Sequence, residues 1–142
     1  MIWNFLKQQN RKKRSAGFSG WAFRVIASHH DFDAIPDDRI LRMLMEQMQQ
    51  GGADVAKLAV MPQSADDVVR LLKLTNDMKQ KYPTLPVVTM SMGALGVVSR
   101  MAGEIFGSCI TFGAVGETSA PGQIAADKLE DILSVIHQDY VK

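Results

Sequence analysis

The strongest constraint on the fold is a regular alternation of short apolar runs with amphipathic stretches of helical length. The runs lie at about 22–28, 54–60, 85–90 and 109–115. Between the first two, Pro36 with Asp37 and Asp38 opens a helix carrying Ile40, Leu41, Leu44 and Met45 on one face, stopped by Gly51-Gly52. Ser64, followed by Asp66 and Asp67, caps a second helix along which Val68, Val69, Leu71, Leu72 and Leu74 recur. A shorter helix is expected around 95–104 and a last one at about 125–138. Strands separated by helices of this length predict an α/β fold of parallel β/α units joined by right-handed crossovers.

At 142 residues the chain has the size of one domain, and its 46% hydrophobic and 22% charged residues exclude disorder. The predicted division is a basic helix and loop over 1–21, helical at about 2–13, followed by four β/α units over 22–142. The net charge of +1 hides an asymmetry. Lys7, Arg11, Lys12, Lys13, Arg14 and Arg24 stand in residues 1–24 without any acid, so all 15 acidic residues fall in the remainder. The run Arg11 to Arg14 lacks interleaved aromatics, so a solvated loop is expected and nucleic acid is not an expected partner. No stretch reaches the roughly 18 apolar residues of a membrane span, and no secretory signal is expected at the start. One cysteine, Cys109, cannot form an internal disulfide and reads as a small core filler. A cytoplasmic protein is the expectation.

Strand alternation sorts side chains onto two faces. Ile26, Ser28 and His30 point one way, and Val25, Ala27 and His29 the other. Ala56, Leu58 and Val60 form an apolar set suited to lying under helices, which places Lys57 with Val55 and Ala59 on the opposite face. A partly desolvated lysine has a lowered pKa, and a neutral amine can attack a ketone to form an imine. Pairing of Lys57 with a buried carboxylate is the structural alternative. His30 suits a general base or acid near neutrality, or a purely structural histidine. Asp31 suits a turn cap better than a histidine partner, and His137 a surface position. Ser119-Ala120-Pro121-Gly122-Gln123 precedes the last helix, where free backbone amides attract an anion. His30, Lys57, Arg100, Ser119 and Gln123, each expected at or just past a strand end, describe a site for an anionic carbonyl compound.

Six blocks then share one resemblance. They are Ser28-His29-His30-Asp31-Phe32, Ala56 to Ser64 with Lys57-Leu58-Ala59-Val60-Met61-Pro62-Gln63, and Thr89-Met90-Ser91-Met92-Gly93. The others are Ser99 to Ser108 with Arg100-Met101-Ala102-Gly103-Glu104, Thr111-Phe112-Gly113-Ala114-Val115, and Ser119 to Gln123. In order and spacing they resemble type I 3-dehydroquinate dehydratase over about 22–140. The resemblance implies a TIM (β/α)8 barrel enzyme of the shikimate pathway of aromatic amino acid biosynthesis. Such a lyase converts 3-dehydroquinate to 3-dehydroshikimate by losing water, with no metal and no cofactor. It further implies that Lys57 forms the Schiff base with the C3 ketone and that His30 moves the C2 proton and assists departure of the C1 hydroxyl. Arg100 matches the clamp on the substrate carboxylate, Ser119 and Gln123 the polar residues on the loop after the last strand, and Met90 and Met92 the pocket lining.

A whole barrel of this type needs about 250 residues, and the matching blocks correspond only to its second half, strands five to eight. The family's earlier strands supply an acid that orients the catalytic histidine, and no counterpart stands before Phe23. Four such strands leave two unpaired edges and an open inner face, so a homodimer completing an eight-stranded pseudo-barrel, or an aggregation-prone chain, is expected rather than a stable monomer. A truncated, non-catalytic remnant and a Schiff-base aldolase-type enzyme are the other functional readings.

Overall fold

The computed structural model describes residues 24–140, with the side chains of residues 24–136. The expected helix at 2–13, the loop at 15–20, the basic run Arg11 to Arg14 and the side chain of His137 lie outside the described residues.

Three parallel strands, β1 (Ile26–Asp31), β2 (Val55–Val60) and β3 (Val87–Ser91), form one sheet in the order β1-β2-β3. The first strand is displaced from the expected 22–28 because Asp54 fastens its start. The Asp54 carboxylate accepts the Val25 N–H at 2.9 Å, and Val25 O accepts the backbone N–H groups of Asp54 and Val55. From there Ser28 pairs with Lys57, and Lys57 with Val88; one row on, His30 pairs with Ala59, and Ala59 with Met90.

Helices α1 (Asp38–Gln50) and α2 (Ala65–Lys81) follow β1 and β2. Pro36 was expected in the first turn of α1, yet it lies before the cap. Asp37 is the N-cap, its carboxylate accepting the Arg39 N–H at 2.8 Å. Gly51 then ends the helix and Gly52 takes a φ of 84°. Ser64 caps α2 as its sequence predicts, accepting the Asp67 N–H at 3.2 Å. Ala56, Leu58, Val60 and Val87 pack against Leu41, Met45, Leu71, Leu74 and Met78, forming the core between sheet and helices. Ile40 and Val69, expected on the buried faces, are exposed, because the sheet covers a narrower stripe of each helix than the apolar pattern suggests.

The opposite face of the sheet carries a second apolar cluster of Val55, Ala59, Val88, Met90, Met92 and Ile110, with Met61, Cys109 and Phe112 against it. Burial raises the Cys109 thiol to about 11, the behaviour of a filler rather than a nucleophile.

The expected strand at 109–115 is the main correction. After α3 (Val97–Ala102) and a 3-10 turn (Gly103–Phe106), the chain touches β3 through one bridge, Val87 with Ser108, and Cys109 N–H donating to Val87 O at 2.8 Å. Thr111 Oγ1 then donates to Arg100 O at 2.9 Å, drawing the segment toward α3 rather than along the sheet. Regular pairing resumes only in the short strands β4 (Gly113–Ala114) and β5 (Ile124–Ala125), which are parallel to each other, before α4 (Ala126–Tyr140). Ile110 and Thr111 have strand propensity, but propensity yields a strand only where a neighbour supplies a full ladder.

Candidate active site

His30 stands near the end of β1 and Lys57 mid-way along β2, one row lower in the register. Both belong to the face opposite the helices, as alternation predicts. The row above Lys57 contains Ala59, whose small side chain leaves height for the lysine to rise toward His30. Lys57 Nζ reaches 3.5 Å from His30 Nε2, with donor and acceptor set by the tautomer of the ring. It also stands over Phe112, 4.9 Å from the ring centroid. Among the described residues no carboxylate pairs with Lys57, so the buried-ion-pair alternative does not hold there.

Two cations and a histidine crowd one apolar floor. Burial, and then the Arg100 charge, hold the Lys57 amine below its ordinary value of 10.5. Partial desolvation, then the Lys57 ammonium, then His29, hold His30 below 6.5, so its imidazole is neutral at pH 7. His30 also stacks with Phe32 at 6.2 Å between centroids. Asp31 serves the backbone rather than a histidine: Oδ1 accepts the N–H groups of Asp33 and Ala34, each at 2.9 Å.

Arg100 lies past the end of β3 on α3, within the helix expected around 95–104, and is only 2% exposed. Its Nη1 donates to Met90 Sδ at 3.8 Å and Nη2 to Pro121 O at 3.3 Å, while Nε is buried without a partner. Burial lowers its pKa below the ordinary guanidinium range. A guanidinium with spare donors, no neutralising acid among the described residues and an amine nearby makes a strongly anion-seeking site.

Pro121 O also accepts the Gly93 N–H at 3.1 Å, so one carbonyl ties Arg100 and the chain after β3 to the segment 119–123. Within that segment Gln123 Oε1 accepts from Ser119 N–H at 2.7 Å and from Ser119 Oγ at 3.2 Å. The last helix, expected from about 125, begins at Ala126, with the two-residue strand β5 between it and Gln123. Ser119 and Gln123 are thus joined to each other and, through Pro121, to Arg100. Met90 is 6% and Met92 1% exposed; Met90 supports Arg100, and Met92 fills the apolar cluster. Phe112 stands in Thr111-Phe112-Gly113-Ala114-Val115, where the sequence gives it no role of its own. Only the folded chain brings it to Lys57, 55 positions away in sequence, and no local pattern signals such a meeting.

Among the described residues no group of three His, Cys, Asp or Glu side chains could hold a metal ion. No helix there is long and apolar enough to cross a membrane.

The family model described as type I 3-dehydroquinase matches residues 5–140. A 3-dehydroquinate dehydratase of Clostridium novyi is 48% identical over 114 residues, covering 80% of this chain and 45% of the relative. One from Klebsiella pneumoniae is 50% identical over 113 residues, with the same 80% and 45% coverage. Among solved structures, the 3-dehydroquinate dehydratase of Geobacillus kaustophilus superposes with a TM-score of 0.79 at 41% identity, covering 84% of this chain and 46% of that one. The type I enzyme of Clostridium difficile, solved with covalently modified comenic acid, gives a TM-score of 0.77 at 46% identity over 82% of this chain and 46% of that one. The chain therefore spans about half the length of the relatives it matches.

Proposed function

The chain belongs to the type I 3-dehydroquinase family, and from that premise we propose that it dehydrates 3-dehydroquinate to 3-dehydroshikimate through a Schiff base on Lys57. The observation that carries this reading is the Lys57 amine, joined to no carboxylate among the described residues, 3.5 Å from a histidine and facing a buried arginine.

In the proposed sequence the neutral Lys57 amine bonds to the C3 carbonyl carbon, and the carbonyl oxygen leaves as water. The resulting protonated imine draws electrons from the adjacent carbon and acidifies the C2–H. Neutral His30 accepts that proton, and the electron pair settles in an enamine. The enamine pair then expels the C1 hydroxyl, to which His30 returns a proton, so a second water departs. Hydrolysis of the imine consumes one water and frees both product and amine. Arg100 holds the substrate carboxylate through its spare donors, and Ser119 and Gln123 bind substrate hydroxyls, with Met90 and Met92 lining the pocket.

In this reading the four β/α units, residues 22–142, correspond to strands five to eight of a TIM barrel, and a second copy of the chain completes it. A cytoplasmic setting belongs to the same reading, since the lone Cys109 has no disulfide partner within the chain. A non-catalytic remnant is the second reading, favoured by one observation: among the described residues no carboxylate bonds to His30 to orient it.

Borohydride reduction in the presence of 3-dehydroquinate, read by intact mass and peptide mapping, separates the two. An adduct on Lys57 is expected. Its yield should rise with pH through a midpoint below 10.5, because only the deprotonated amine attacks and the folded site favours that form. A well-folded chain that traps nothing would hand the argument to the remnant.

A further inference from the structure

We infer that Phe112 is a positioning residue whose ring face holds the charged nitrogen of Lys57 in place between His30 and Arg100. The Lys57 Nζ atom lies 4.9 Å from the ring centroid, inside the range of a cation–π contact of about 6 Å. The groups that face this nitrogen are His30 from β1, Arg100 from α3 and Phe112 from the segment before β4, while the next row of the sheet carries the apolar Ala59 and Met90. Arg100 repels an ammonium. His30 attracts it only when Nε2 carries the lone pair. The negative face of the ring favours the cation whichever tautomer the histidine adopts.

The backbone on both sides of Phe112 is pinned, so the ring is not a chance neighbour. Before it, Thr111 Oγ1 is bonded to Arg100 O at 2.9 Å. After it, Gly113 lies so close to Ala126 that a Cβ there would meet the Ala126 backbone at 2.7 Å. The same turn of chain that ties to Arg100 thereby aims the ring at the lysine. On the Schiff-base reading, from which this extension follows, the protonated imine carries its positive charge at the same nitrogen. A ring that favours the ammonium then favours the iminium as well, in an environment where burial and Arg100 oppose both.

The test reads the amine without 3-dehydroquinate. The whole chain is reductively methylated with formaldehyde and cyanoborohydride across a pH series. Labelling of the Lys57 peptide is followed by mass spectrometry against the exposed Lys73 as internal reference. Phe112→Leu should move the Lys57 midpoint down by roughly half a unit to one unit, because the protonated form loses its partner. Pentafluorophenylalanine at position 112, which reverses the ring quadrupole at nearly unchanged shape, should move it the same way, and Phe112→Tyr should leave it near the native value. An unmoved or raised midpoint in either of the first two, or an equal fall in the tyrosine variant, overturns the inference. A clean shift together with failed trapping of 3-dehydroquinate would sink the dehydratase reading and leave the ring contact standing.

Discussion

At the scale of single residues, Arg100 is costly to keep, a charged side chain only 2% exposed. A buried guanidinium without a neutralising acid among the described residues suffers the desolvation of an ion and recovers only two long hydrogen bonds, 3.3 Å to Pro121 O and 3.8 Å to Met90 Sδ. Residues of that kind persist where a ligand completes them. Arg100→Met keeps an apolar stem beside Met90 while removing the charge. It is expected to leave folding stability unchanged or raised by about 1 kcal/mol in urea denaturation, while abolishing substrate-dependent trapping on Lys57. A loss of about 2 kcal/mol or more would instead make the guanidinium a structural group. The inward position of Lys57 was legible in the sequence, because Ala56, Leu58 and Val60 cannot face solvent and a strand has only two faces. The burial of Arg100 was not. Residues 97–102 offer no polar face that would mark one arginine as enclosed, and its surroundings come from β3 and from Pro121.

Elements show the same division between local and non-local causes. Ser64 and Asp37 cap their helices through contacts with residues two or three positions on, and such causes can be read from the chain itself. Segment 109–115 has the composition of a strand, yet its fate is set by Thr111 reaching Arg100 and by the arrival of 124–125. Gly122 makes the non-local dependence testable. It takes a φ of 74°, and a Cβ there would meet Gly93 O, the same short stretch that donates the Gly93 N–H to Pro121 O. Gly122→Ala therefore strains the backbone and pushes 119–123 away from the chain after β3, with a cost of about 1–3 kcal/mol. Urea denaturation should register that loss. Arg100 should at the same time lose its Pro121 carbonyl, so trapping on Lys57 should fall further than stability explains. A variant of native stability would mean that the segment is not clasped as the geometry implies.

For the whole molecule, the question is what covers the open side of the sheet. Among the described residues β1 pairs on one side only; its first residue Ile26 is 44% exposed, and Val25 and Phe32 flanking it are 55% and 59% exposed. An unpaired strand edge flanked by exposed apolar side chains is a template for association, not a finished surface. The chain spans about half the length of the relatives it matches. A second copy is the partner proposed, with the β1 edge of one copy meeting the 109–114 side of the other. Lysine on an edge discourages such pairing, which makes Ile26→Lys the natural probe. Sedimentation equilibrium should give a dimer for the native chain and at least a tenfold weaker one for the variant, a change of about 1.4 kcal/mol. Ile26 lies on the face of Ser28 and His30 but two rows from the histidine, so the variant, studied at a concentration where its weaker dimer has dissociated, separates assembly from chemistry. If dimer and variant both trap 3-dehydroquinate on Lys57, a single copy of the chain builds the imine site. If only the dimer does, the second copy completes it. A native chain that sediments as a compact monomer and unfolds cooperatively would remove the second copy from the account, leaving Val25, Ile26 and Phe32 as exposed surface.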